Sequence, residues 1–167
     1  MPEAFVSNLS DNTRHAMIAL LNERLVDAID LTLAVKQAHW NIKGSSFIGI
    51  HELLDDVADR CREHADMIAE RCVIIGGQAR GTTQAVASGS SLDAYPVDAQ
   101  YQSHHVEALK DRFMAFGARL RDGIDAAGEA GDEDTADLFT EVSRAVDKDA
   151  WFIGAHNARG DDAPAGA

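Results

Sequence analysis

The sequence predicts an all-α fold, a four-helix bundle with a short extra helix in the crossover between its second and third helices. Three observations carry this. Only three prolines interrupt 167 residues, so long stretches are free to be helical. Breakers gather at Gly44-Ser45-Ser46, at Gly76-Gly77, from Ala87 to Pro96 and from Gly128 to Gly131, leaving four segments of roughly thirty residues each. Within them, apolar residues recur at alternating steps of three and four, the spacing of one helix face. Apolar residues make up 46% and charged residues 26%, the composition of a single globular domain over 1–167, with flexible-looking ends at 1–10 and 160–167.

The first helix carries the stripe Ile18, Leu21, Leu25, Ala28, Thr32, Val35 and His39, so a histidine ends a mostly apolar face. The second repeats the pattern with Phe47, Ile50, Leu54, Cys61, Ala65, Ile68, Cys72 and Ile75, and stops where Gly76 can adopt the left-handed cap conformation. Both cysteines fall on this stripe, eleven residues apart on one helix, where they cannot pair; buried, reduced thiols are expected. Gly81 to Leu92 reads as a long connection able to cross the bundle, with one short helix around Gln84 to Ala87. The third long helix is expected from Val97 to Ala127. The fourth opens at Asp132, with Glu133 and Asp134 in a first turn that suits negative charge, and an inner face of Leu138, Val142, Ala145, Asp149 and Phe152.

Fifteen basic against twenty-eight acidic residues give a formal charge of −13, the wrong sign for holding phosphate backbones and the right one for attracting metal cations. Acidity that only keeps a protein soluble explains the same number. The longest apolar runs, such as Ala16 to Leu21, fall far short of the ~18 residues that span a bilayer, and no basic-then-apolar leader opens the chain. A soluble, cytoplasmic protein with no membrane partner is expected, associated with the nucleoid only if it binds DNA.

Beside the core stripe of the second helix runs another column: His51, Asp55, Asp59, Arg62, Asp66 and Glu70. At ~100° per residue these positions share an arc of about 100°. His51 with Asp55, and Asp66 with Glu70, form two i, i+4 pairs, each able to offer side chains to one small volume. A solvated acidic face is the competing reading. At ~1.5 Å per residue Asp55 and Asp66 are about 16 Å apart, so one helix cannot bring both pairs to the same ion. The pairs lie symmetrically about the midpoint between Arg60 and Cys61. Two copies packed antiparallel around a two-fold axis there would set His51 and Asp55 of one opposite Glu70 and Asp66 of the other. A di-iron site inside one bundle is expected to show Glu-x-x-His on two helices, and no histidine here follows a glutamate by three. Carboxylates with a few imidazoles suit iron or manganese rather than structural zinc.

The run Lys36-Gln37-Ala38-His39-Trp40-Asn41-Ile42-Lys43-Gly44, followed by Phe47 and His51-Glu52-Leu53-Leu54-Asp55, resembles the signature of the Dps family, the DNA-binding proteins from starved cells. The match continues through Asp66-x-x-Ala69-Glu70-Arg71, Gly76-Gly77, Gly81-Thr82-Thr83-Gln84, Ala94-Tyr95-Pro96, Asp134-Thr135-Ala136-Asp137 and Ser143-Arg144 to Trp151-Phe152. The resemblance implies a ferritin-like bundle assembled into a hollow homododecamer. It also implies an intersubunit ferroxidase centre, with His39, His51 and Asp55 from one subunit and Asp66 and Glu70 from its two-fold mate. Ferrous iron bound there is oxidised, hydrogen peroxide being the usual oxidant, and ferric iron is mineralised inside, with no organic cofactor. By the same resemblance Trp40 lies near the centre, where it either intercepts oxidising equivalents or only packs, and Lys36 either bonds at the site or stays solvated. Iron entry is expected at three-fold pores lined by Asp132, Asp134 and Asp137, with Glu133 and Glu141 behind them; helix-capping acids are the alternative. His15, His64, His104, His105 and His156 are expected to be ordinary packed or solvated histidines.

The sequence departs from the family's DNA-binding members. Residues 1–13 hold no lysine or arginine, the last eight hold two aspartates and no base, and twelve copies would carry roughly −150. Weak or absent DNA binding follows. Two other readings remain: a nucleoid-compacting protein with incidental metal sites, and a metal-free structural helical oligomer.

Overall fold

In the computed structural model, which describes residues 2–157, the chain forms α1 (Asp11–Asn41), α2 (Phe47–Ile74), α3 (Thr83–Gly89), α4 (Gln102–Ala130) and α5 (Glu133–Gly154), closed by a 3₁₀ turn at Ala155–Asn157. α1 packs along α2 and α4 along α5, while α1 with α4 and α2 with α5 close the bundle. Gln102 at the start of α4 donates its N–H to Lys43 O (3.0 Å) and accepts the Ser46 N–H at Oε1 (3.2 Å). The connection from α2 therefore traverses the whole bundle to reach the α1–α2 loop, with the short α3 lying against α1. Among the described residues no helix is long and apolar enough to cross a membrane.

The ends of α2 and α4 follow from glycine. Gly76 sits at φ +88°, and the N–H groups of Gly76 and Gly77 close on Val73 O and Cys72 O, which satisfies carbonyls the helix leaves open. Gly131 at φ +76° ends α4 the same way. Ser10, Thr82 and Asp132 cap α1, α3 and α5 by accepting N–H groups of the first turns.

One core runs the length of the bundle, with Leu21, Leu31, Ile50, Leu54, Ile68, Phe113, Phe116 and Phe139 fully buried. Both cysteines are buried and unpaired, and burial pushes the Cys61 thiol up to about 12. The predicted stripe of α1 is buried apart from Ile18, which is half-buried, and in α2 Phe47 and Ala65 lie outside the fully buried set.

Three expectations need correction. α4 begins at Gln102 rather than Val97, because Pro96 O instead accepts the Ala99 N–H in a turn and Tyr101 stays extended (φ −109°, ψ 146°). The short helix spans Thr83–Gly89 rather than Gln84 to Ala87. α5 has 22 residues and buries Ala136, Phe139, Val142, Val146, Ala150 and Ile153, so Leu138, Ala145 and Phe152 are flanks of that face. Asp149 is buried as predicted, but through a bidentate ion pair with Arg60 of α2 (Nη2 to Oδ1 2.7 Å).

The N-terminal segment crosses the end of α2, where Phe5 N–H bonds Ile74 O (2.8 Å) and Val6 and Leu9 pack against the core. The expected C-terminal tail, 160–167, lies outside the described residues.

Candidate metal centre

His39 lies in the last turn of α1 and His51 near the start of α2, so the hairpin turn between them folds the two rings together. Their contact is reciprocal. His39 Nδ1 bonds the backbone oxygen of His51 (2.9 Å), and His51 Nδ1 bonds the backbone oxygen of His39 (3.0 Å). A carbonyl only accepts, so both Nδ1 atoms carry hydrogen and each neutral ring keeps its lone pair on Nε2. The rings stack at 3.7 Å between centroids and 21° between planes, with Phe47 tilted against His51 at 5.1 Å. The carbonyl of His39 is also one that the end of α1 leaves without a helical partner, so the His51 ring closes that helix as well.

Asp55, one turn after His51, completes a group whose ligand atoms all lie within 4.8 Å of one another; among the described residues no other cluster of His, Cys, Asp or Glu comes together in this way. His39 is buried, His51 is half-buried and Asp55 is exposed, so the group opens outward. His39 Nε2 is 3.5 Å from Asp55 Oδ1. Lys36, one turn before His39, donates from Nζ to the same oxygen at 2.6 Å. That hydrogen bond holds the Asp55 carboxyl below its ordinary value, with desolvation opposing it. Lys36 Nζ also lies 5.7 Å from the centre of the Trp40 ring, which is 69% exposed.

Asp66 and Glu70 are exposed on the same face of α2, about three to four turns beyond Asp55. The chain does not bring them to His39, His51 and Asp55. Each instead borders an apolar hollow. One, of about 340 Å³, lies between α1 and α2 and is lined by Leu25, Ile29, Leu33, Arg62 and Asp66. The other, of about 470 Å³, is lined by Phe5, Ala69, Glu70, Val73 and Ile74.

At the start of α5 the acids separate into two kinds. Asp132 is 2% exposed; it caps the helix through Thr135 N–H (3.2 Å) and Thr135 Oγ1 (2.6 Å) and is ion-paired with Arg71. Asp134 is exposed, 3.6 Å from Arg71, and Asp137, Glu133 and Glu141 are exposed. Among the remaining histidines, His64 and His105 are buried, and burial lowers the affinity of each for a proton. His105 Nδ1 meets the Tyr95 hydroxyl at 2.7 Å.

Sequence reasoning missed the mutual lock of the two histidines. Its only trace was their twelve-residue separation across a helix–turn–helix. It also missed Asp27, fully buried at the crossover, which accepts Ser91 N–H (2.7 Å) and Ser91 Oγ (3.0 Å) and so ties the long connection to α1.

A model of the ferritin-like domain matches residues 18–162. A DNA protection during starvation protein of Agrobacterium fabrum is 47% identical over 150 residues, covering 90% of this chain and 93% of that one. The solved structure of Mycobacterium smegmatis Dps is similar with a TM-score of 0.90 and 29% identity, over 96% of this chain and 91% of that one. The Dps of Microbacterium arborescens in its high iron form is similar with a TM-score of 0.84 and 33% identity, over 91% of this chain and all of the other.

Proposed function

The chain belongs to the Dps family of ferritin-like proteins, and from that premise we propose that it is a ferroxidase and iron-storage protein whose oxidation centre is shared between two-fold-related copies. The observation that carries the proposal is the convergence of His39, His51 and Asp55, with both Nδ1 atoms engaged and Asp55 beside His39 Nε2. Three ligands held open to the surface are half a centre. Asp66 and Glu70 are the matching half, and antiparallel packing of α2 about the midpoint between Arg60 and Cys61 supplies them from a second copy.

Ferrous iron is the substrate. Imidazole nitrogens and carboxylate oxygens suit it, and anionic oxygens favour the ferric charge more than the ferrous one. The chain's own work is positional. The crossed His39 and His51 hydrogen bonds fix each ring's tautomer and direction, and Lys36 holds Asp55 in place until iron competes for it. With hydrogen peroxide as oxidant, two ferrous ions each give up one electron, and the peroxide takes two protons and leaves as two waters. Ferric product then collects inside a closed homododecamer. Asp137 and Asp134, the latter exposed though 3.6 Å from Arg71, are the acids placed to draw cations to a pore, whereas Asp132 is buried and engaged by Arg71 and the helix cap. At a formal −13 per chain, DNA is not a strong partner, and a cytoplasmic location accords with buried free thiols.

The test is anaerobic ferrous loading followed by peroxide, comparing the wild type with an Asp66→Ala, Glu70→Ala variant of verified oligomeric size. Rapid ferric absorbance that the variant loses by about a hundredfold or more, with many irons retained per shell, is the expected result. A wild type that oxidises no faster than buffer and retains no iron returns the column on α2 to a solvated face.

A further inference from the structure

The shared centre uses four of the six side chains in the α2 column and leaves the middle two without a role. Asp59 and Arg62 lie on either side of the midpoint between Arg60 and Cys61, facing out, with side chains 78% and 55% exposed. In the single chain Arg62 Nη1 bonds Asp59 Oδ1 one turn away. An exposed pair at that spacing contributes little to a helix that already packs on a core.

The two-fold arrangement proposed above gives them a different part. The same axis that sets Asp55 level with Asp66 of a second copy sets Asp59 level with that copy's Arg62, and Arg62 level with its Asp59. We infer that Asp59 and Arg62 are a register key, two ion pairs exchanged across the axis that align two copies of this chain along α2. The inference rests on the two-fold reading and adds the means by which the register is chosen.

Charge along the column supports it. Asp55 faces Asp66 in the aligned pair, so before iron arrives these two levels set carboxylate against carboxylate, relieved only by the Lys36 of each chain at Asp55. Asp59 and Arg62 form the level where the column sets a carboxylate against a guanidinium, whereas His51 and Glu70 meet as imidazole and carboxylate. Sliding by one helical turn in one direction brings Asp59 against Asp66 and Arg62 against Glu63, and in the other leaves Asp59 against Ala58 while Arg62 meets Asp55. Of these three registers only the aligned one pairs both residues, and it is also the one that places the two ligand pairs opposite each other. The apolar hollow beside the column fits the same occupant. Leu33, 55% exposed, lines it next to Arg62, and a second α2 laid across the column covers both.

Two charge reversals and their mixture test this. Asp59→Arg and Arg62→Asp are prepared separately, checked for helicity by circular dichroism, and their self-association is measured by sedimentation and native mass spectrometry at physiological salt. Each alone is expected to weaken pairing about tenfold or more, because two attractive contacts become repulsive. An equimolar mixture is expected to recover pairing to within about threefold of the wild type, since each chain then faces its opposite. The mixture separates the key from an intrachain role, because neither chain contains the internal pair and only contact between chains can be restored. The milder variants Asp59→Asn and Arg62→Gln, at exposed positions, give the same ordering with smaller shifts if a reversal fails to fold. Reversals that assemble like the wild type, or a mixture that is not rescued, overturn the key and leave the shared centre standing. A wild type that stays monomeric overturns both.

Discussion

The two ends of the α2 column are built to different standards. At the amino end His51 and Asp55 meet His39 through crossed hydrogen bonds, a ring stack and the Lys36 contact, all made within one chain. At the carboxyl end Asp66 and Glu70 are exposed at the rims of apolar hollows, and among the described residues no side chain bonds to either. One end is preorganised and the other is presented. On the two-fold reading proposed above, the centre would be complete only where two copies meet, and a lone chain would hold half a ligand set and oxidise iron slowly. The division also predicts that equal losses of activity from the two ends will come with unequal losses of stability.

Substituting His51→Ala tests that inequality most severely. Oxidation of ferrous iron by peroxide should fall about a hundredfold or more, as it should for the Asp66→Ala, Glu70→Ala variant. Unlike that variant, it removes the bond that closes α1 and the partner stacked on His39, a loss of about 1–2 kcal/mol. For a chain of this length that lowers the melting temperature by roughly 2–8 °C, measured by calorimetry on shells of equal size. Equal melting temperatures in the two variants would mean the amino end is no more preorganised than the carboxyl end.

A smaller effect concerns Lys36. Its ammonium neutralises Asp55 at 2.6 Å, so an incoming divalent cation must displace it or share the carboxylate. Lys36→Met is expected to tighten binding of Co²⁺ or Zn²⁺ by about three- to tenfold in calorimetric titration, the scale of a partly exposed charge pair. Weaker binding would make the lysine an orienting group for Asp55 rather than a competitor.

Much of this was legible in the sequence because it depends on one helix at a time. The glycine breaks, the stripes of α1 and α2, the ligand column and the symmetric placement of its outer pairs are properties of spacing. What was not legible depends on how helices meet. The crossed bonds of His39 and His51 require the α1–α2 turn to bring two carbonyls against two rings, which no periodicity encodes. Asp149 lay on the stripe predicted for α5, yet the buried face centres on Phe139, Val146 and Ile153, and Asp149 is inside because Arg60 of another helix reaches it. Asp132 was readable both as a cap and as a pore acid. Arg71, sixty-one residues earlier, meets it at the cap and takes up its charge.

The smallest expected effect contrasts the ligand face of α2 with its core face. His64 faces inward between α2 and α5, and burial holds it below the ordinary imidazole value, against the opposing pull of Asp149. In the folded chain it therefore stays neutral to lower pH than in the unfolded chain. Above about pH 6.5 both states are neutral and His64 contributes no pH dependence; as pH falls below that, the unfolded state binds the proton first and stability declines. His105, buried against Tyr95, has the same sign. Replacing His64 with Gln removes the group that titrates, so the fall in melting temperature between pH 7.5 and 5.5 should flatten relative to the wild type. If the slope does not change, protonation of the core face is not what weakens the bundle in acid, and the ligand face and its neighbouring carboxylates become the source to test.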